Sequence, residues 1–396
     1  MRLNFKFSNH FGTAYKTGNL VFTPNGYGLL SPIGNQVTIF DLKRDEARTV
    51  AVNSYHNIRH LLLSPNMSML LAINEIGEIS ILSLVTGSII SVHSMRHPVS
   101  AASFSPDGTF VAIAKGHCVM VFFAPAARKQ FNHLELYRVY YGFSDEITSI
   151  DWTSDSKIFI ASSLDTTCRV FAIQKTSCLI AYTLAGHRNP VVGSFFLSDS
   201  LTVITVSSDA EACLWKPSIS LSKVIFGEEG EQEKIAYRLE KSAVTYHKSL
   251  RMLVTGFSSG LLLLHNIPDF TILSEIKLFS HPISALTVNC TGEWIAAASD
   301  DHGQLTVWEW RSQVSYLKAE SHARQMTSIA FSPDGLYLVT GGYDSKVKVW
   351  QVASGRAVVT FTEHTAAVTG VAFPLQKPKV VLSASLDGTV RAHDLV

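Results

Sequence analysis

The chain has 396 residues, 46% of them apolar and only 16% charged, with a formal net charge of +1. So balanced a charge gives no bulk electrostatic drive toward nucleic acid or an acidic membrane surface. No apolar run approaches the about 18 residues of a membrane-spanning helix, and Met1 to Ser8 lack the apolar core of a secretory signal. A soluble, intracellular protein without membrane partners is therefore expected. Five cysteines (Cys118, Cys168, Cys178, Cys213, Cys290) are scattered without a CxxC pair. They are expected to be buried small hydrophobes in a reducing compartment.

Along the chain one short text recurs. The first unit is an apolar strand, the turn Pro24-Asn25-Gly26, a second strand, and a third strand closed by Phe40. The second repeats this with Pro65-Asn66 and closes on Leu82; the third is built on Phe104-Ser105-Pro106-Asp107-Gly108, turns at Gly116 and closes on Phe122. A longer connection over 124–144 follows. Its Arg128, Lys129 and Arg138 fit a solvated loop better than a phosphate contact. The fourth unit has Asp165 six residues before Phe171, and the fifth has Gly186-His187, then Asp209 six residues before Trp215. Residues 217–241 contain GlyGluGluGlyGluGlnGluLys and are expected to be a disordered acidic surface loop between repeats, with a docking tether as the alternative. The sixth and seventh units close on His265 and Trp308. The eighth carries His322, the alternating ThrSerIleAlaPhe of 327–331, the Asp334-Gly335 turn, Asp344 and Trp350. In the ninth, His364 and Asp387 precede His393, which stands where a tryptophan closes other units.

Successive closers are 42, 40, 49, 44, 50, 43, 42 and 43 residues apart. A period near 40–45 with a closing aromatic is the mark of a WD-repeat β-propeller blade, so the fold class is all-β. His187, Ser207, Asp209, Trp215, His322, Asp344, Trp350, His364, Ser385 and Asp387 resemble the buried tetrad of such blades. In that tetrad the aspartate accepts from the histidine ring and a hydroxyl links the histidine to the tryptophan. Ser207 and Ser385, each two residues before its aspartate, suit the hydroxyl role. A buried carboxylate without such partners carries a heavy desolvation cost, so these residues are expected to be structural.

Nine units exceed the typical about four to eight blades of a closed ring. A seven-bladed propeller over residues 1–315, with the acidic insertion at 217–241, and two blades of a second propeller over 316–396 are expected. Eight blades plus one, or a nine-bladed arc, are the alternatives. No GxSxG, HExxH, P-loop or GxGxxG pattern is present. His56, His97, His187, His281, His322 and His364 fall near blade starts, where hydrogen bonding accounts for them. No enzyme activity, small-molecule substrate, cofactor or metal is expected.

A more specific resemblance lies in 7–23 (PheSerAsnHisPheGlyThrAlaTyrLysThrGlyAsnLeuValPheThr) and 31–42 (SerProIleGlyAsnGlnValThrIlePheAspLeu). It extends to 151–156 (AspTrpThrSerAspSer), the acidic insertion, 303–310 (GlyGlnLeuThrValTrpGluTrp) and 361–373 (PheThrGluHisThrAlaAlaValThrGlyValAlaPhe). In order and throughout, the chain resembles the periodic tryptophan protein 2 family. The resemblance implies two tandem propellers and a helical C-terminal region, of which this chain is expected to be a version shortened after the ninth repeat. It also implies a nucleolar scaffold subunit, working in a hetero-oligomeric assembly. The implied partners are other subunits of the small-subunit processome (the UtpB subcomplex), a small nucleolar ribonucleoprotein and pre-ribosomal RNA. A generic WD-repeat adaptor, in a ubiquitin ligase or vesicle coat, is the alternative from another class.

Overall fold

The computed structural model describes residues 15–44, 46–50, 52, 54–125, 134–174, 182–197, 201–209, 211–215, 221–225, 243–300, 303–319, 322, 325–354, 356–374 and 379–395. Among them every regular element is a strand, and the strands form nine antiparallel sheets, eight of four strands and a ninth of three. Each sheet is a meander of consecutive strands, so each repeat is one blade. All nine closers lie on third strands, from Phe40 in Gln36–Asp41 to His393 in Val390–Asp394.

Side chains alternate across each strand, so one strand supplies two seams. In Trp294–Ser299, Ile295 and Ala297 pack against the sixth sheet, while Ala296 and Ala298 pack against the first. A row of seven sheets has six seams. Here the first seven sheets share seven apolar clusters, because Leu29 and Phe40 of the first sheet, with Tyr15 just before it, close on Ala285, Ala296 and Ala298 of the seventh. Large residues on one side meet small ones on the other, which lets the two sheets approach. Among the described residues the ring is therefore closed by side-chain contacts without an exchanged strand, since all four strands of each of these two sheets come from its own repeat. The eighth and ninth sheets share a separate valine-rich cluster around Val339, Val349, Val368 and Val381. A main-chain bond from Ala47 N–H to the Ser354 oxygen (2.8 Å) joins the fourth strand of the first sheet to a turn of the eighth.

Five of the turns between first and second strands share one chemistry. The hydroxyls of Thr23, Ser64, Ser105, Thr153 and Ser332 each donate to the Asn or Asp two residues on. Each also accepts the N–H five residues on, at 2.8–3.2 Å. These hydroxyl-pinned turns lie at the same end of their strands, and those of Thr23, Ser64, Ser105 and Thr153 contribute to one rim of the ring.

Three sequence expectations need correction. Leu221–Ile225, inside the supposed acidic loop, is the fourth strand of the fifth blade and pairs with Glu211–Trp215. Without it the backbone groups along the outer edge of that third strand would lack a ladder partner. The rest of the acidic run lies outside the described residues. A boundary at 315 would cut Val314–Ala319, the fourth strand of the seventh blade, because a closing aromatic marks only the third strand. Finally, Cys168 and Cys213 are buried, but Cys118 is half-buried and Cys290, at a rim turn, is exposed; Cys178 lies outside the described residues.

Candidate functional site

Two blades, the eighth and ninth, carry complete chains of polar groups, and the fifth carries the hydroxyl-linked part of one. In the eighth, His322 Nδ1 lies 2.9 Å from an Asp344 carboxylate oxygen and its Nε2 lies 2.8 Å from Thr340 Oγ1. Trp350 Nε1–H donates to the same Thr340 oxygen at 2.9 Å. A neutral ring satisfies every member: indole N–H to hydroxyl oxygen, hydroxyl to Nε2, Nδ1–H to carboxylate. The ninth blade repeats this with a histidine in the tryptophan's place. His393 Nε2 meets Ser383 Oγ at 2.9 Å, Ser383 meets His364 Nε2 at 2.8 Å, and His364 Nδ1 meets Asp387 at 2.8 Å. The smaller His393 ring is stacked on Phe361, with centroids 4.2 Å apart.

In the fifth blade His187 Nε2 and Trp215 Nε1 meet Thr205 Oγ1 at 2.7 and 2.8 Å. Asp209 accepts from Ser207 and from Asn189 Nδ2 (2.8 Å), and Glu211 and Cys213 crowd the far side of the His187 ring at 4.0 and 3.9 Å. Burial works to raise the Asp209 pKa, but the Ser207 and Asn189 bonds outweigh it and hold the carboxyl below its usual value. The Thr389 hydroxyl and then the His364 ring do the same for Asp387.

The linking hydroxyls are thus Thr205 and Ser383, not Ser207 and Ser385. Two residues span about 6–7 Å of strand, which is the distance separating the indole's reach from the turn that holds the aspartate. Ser207 sits at that turn and donates to Asp209. Ser385 lies 2.8 and 2.9 Å from the Ala366 and Ala367 oxygens and so ties down the entering loop.

Of the histidines near blade starts, His187, His322 and His364 enter these networks, while His56 and His97 are exposed and His281 is half-buried. His265, the sixth closer, is 1% exposed, and burial lowers its pKa to about 4. Among the described residues no group of three or more His, Cys, Asp or Glu side chains is arranged to hold a metal ion. Arg138 belongs to the outer strand Glu135–Tyr140 and its guanidinium stacks on the Tyr140 ring, 5.1 Å from the centroid, so it is part of a blade edge and not of a loop. Arg128 and Lys129 lie outside the described residues.

Two sets of polar contacts between blades escaped the sequence reading. Lys248 of the sixth blade reaches Asp151 Oδ1 (3.0 Å) and the Trp152 oxygen (2.7 Å) of the fourth, while Asp151 also accepts the Phe196 N–H of the fifth at 2.8 Å. One side-chain pair thereby ties three blades. Thr148 and Ser149, and again Thr327 and Ser328, bond across the neighbouring seam. The visible signal was ThrSerIle, which occurs at 148–150 and again at 327–329.

The family model for the WD domain, G-beta repeat, matches residues 134–171, 313–351 and 355–394. Each match takes in the fourth strand of one blade and the first three of the next. Relatives are found over nearly the whole chain. The periodic tryptophan protein 2 homolog of Mus musculus is 37% identical over 92% of this chain and 45% of its own length. That of Schizosaccharomyces pombe is 38% identical over 87% of the chain and 42% of its own, and periodic tryptophan protein 2 of Saccharomyces cerevisiae is 35% identical over 91% and 42%. The chain thus spans under half the length of these curated relatives. With its blades, their order and these relatives in agreement, the chain belongs to the periodic tryptophan protein 2 family.

Proposed function

We propose that this chain is a non-catalytic scaffold in ribosome biogenesis, acting within the nucleolar small-subunit processome. In this reading its blades hold other processome subunits, of the UtpB type, against a small nucleolar ribonucleoprotein and pre-ribosomal RNA. The observation that supports it best is the similarity to periodic tryptophan protein 2 from mouse and two yeasts, which runs through 87–92% of the chain. The character of the polar side chains agrees. The buried histidines of the fifth, eighth and ninth blades, with the side chains of Asp344 and Asp387, are engaged in bonds within their own blades, whereas Asp209 is exposed; groups so engaged are poorly available for turnover.

The test is affinity purification of the tagged chain from nuclear extract, followed by RNA and protein identification. Enrichment of precursor ribosomal RNA with processome subunits is expected, together with nucleolar fluorescence of the tagged chain. Recovery with ubiquitin-ligase or vesicle-coat subunits, and no precursor RNA, would instead favour a general adaptor.

A further inference from the structure

One residue at the end of each first strand occupies the same place in every blade of the ring, paired with the residue seven further on: Phe22 with Leu29, Leu63 with Leu70, Phe104 with Val111, Trp152 with Phe159, and in the sixth blade Tyr246, one short of the strand's end, with Leu253. On one side of the ring these positions are sealed. Trp152 and Phe196 are each 1% exposed and Tyr246 is 9% exposed, beneath the Lys248–Asp151 bridge that ties those three blades. On the other side Phe22, Leu63, Phe104 and Val288 remain half-buried. They wall a cavity of about 490 Å³ between the seventh, first, second and third blades, within the about 300–1,000 Å³ usual for ligand sites.

The chemistry of this mouth is specific. Pro24, Pro65 and Pro106 line its entrance together with the exposed Cys290. Among the described residues that line it none is charged, so this part of the wall offers no cation to a phosphate. The charges on the adjoining rim turns of these four blades are the exposed carboxylates Asp107 and Glu293. Asp107 is held in its ionised form by Ser105 and Thr109, whose hydrogen bonds outweigh the opposing effect of burial. The hydroxyl-pinned turns fix the entrance in shape before any ligand arrives, which lowers the ordering cost of binding.

We propose that this mouth docks a short segment of a partner protein, with large apolar side chains in the cavity and a lysine or arginine beside them at the carboxylate rim. A single-stranded RNA fits less well, because its phosphates would meet both Asp107 and Glu293, while the cation seen beside these turns, Lys43, is already held over the Tyr27 ring of the first blade. The inference goes beyond the processome reading and does not depend on it, since it rests on the wall and the rim alone.

Cys290 supplies a reporter at the entrance. The rate of its alkylation by iodoacetamide would be followed by mass spectrometry in the whole chain. The probes are the capped peptide Ser-Arg-Leu-Trp-Arg-Ser, the same peptide with Leu and Trp replaced by Ser, the same peptide with both Arg replaced by Glu, and a uridine dodecamer. At about four times its Kd, the first peptide should slow alkylation about fivefold, and the three others should leave the rate unchanged. The exposed rim variant Glu293→Lys should weaken that protection without changing the melting temperature. Absence of protection by the first peptide, or equal protection by its serine version, would overturn the proposal. Protection by the uridine dodecamer in the peptide's place would overturn it in favour of RNA.

Discussion

Thr148 Oγ1 of the fourth blade lies 2.7 Å from the main-chain oxygen of Val191 in the fifth, a hydrogen bond that belongs to neither sheet's ladder. It exists because the first strand of the fourth blade is bulged between Ile147 and Ser149, which turns Thr148 out of register and toward the next blade. Ser149 completes the pair by accepting the Ser194 N–H at 3.1 Å. The same arrangement recurs where Thr327 meets the Val368 oxygen and Ser328 accepts the Val371 N–H. Seams that look purely apolar are thus pinned in register by hydroxyls.

Thr148→Val keeps the side-chain shape but removes the hydroxyl from this seam. It should cost about 1–2 kcal/mol, the worth of a lost bond plus an under-satisfied buried carbonyl. Thermal denaturation should show a lower melting temperature, and Thr148→Ser should recover most of it.

Thr340 joins Trp350 to His322, so Thr340→Val strands both nitrogens at once. A loss of about 2–4 kcal/mol is expected, above that of a single broken bond. Asp209→Ala in the fifth blade should cost about 1–3 kcal/mol, because Ser207 and Asn189 lose their acceptor together. Urea denaturation of the two variants beside the parent measures both. Midpoints equal to the parent's would show that these networks contribute nothing to stability.

Acid sensitivity should come partly from the closing histidine of the sixth blade. Burial holds His265 at about 4, with a Phe270 main-chain bond opposing, against about 6.5 in an unfolded chain. Above pH about 6.5 both states are neutral and stability is at its full value; between about 6.5 and 4 the unfolded chain takes a proton that the folded one refuses, so stability falls. His60, also lowered to about 4 by burial and then by Arg59, acts in the same direction. Melting temperature should therefore drop steadily over that window, and His265→Phe should flatten the profile. A parent profile level from pH 7 to 4.5 would refute it.

The seven-seam ring is proposed to be a folding unit distinct from the last two blades. A chain ending at Ala319 keeps every strand of the seventh blade and should unfold in one cooperative transition. A chain ending at Leu273 loses that blade and with it the seams it makes with the sixth and first blades. Such a chain should bind a hydrophobic dye and melt broadly. The comparison needs only calorimetry and dye fluorescence.

Much of the architecture was legible because blade chemistry is periodic. The closers alone located nine third strands, and the Asp209, Asp344 and Asp387 offsets located three polar networks, although Asp209 itself is exposed. What the sequence hid was anything decided between elements. Thr205 and Ser383 carry the link because they sit at the right depth along a strand, a distance that composition does not reveal. Leu221–Ile225 was masked by the acidic run beside it, since clustered Glu residues outweighed a five-residue segment in which only Val224 and Ile225 are strong strand formers. The Val314–Ala319 strand was cut by the boundary at 315 because the closing aromatic marks a third strand and leaves the extent of the fourth unmarked. The cavity was invisible, because Phe104 and Trp152 read alike in sequence and differ only in what covers them.

Closure of the ring by packing, with no exchanged strand, has a consequence for how the protein is made. Leu29 and Ala296, which meet at the closing seam, are 267 residues apart. At a synthesis rate of about 5–20 residues per second, the apolar face around Leu29 and Phe40 waits roughly 15–50 seconds for its partner to leave the ribosome. Every other seam of the ring can form as soon as the next blade emerges. The face of the first blade is therefore the longest-lived sticky surface of the nascent chain, and the place where a chaperone would have most time to bind.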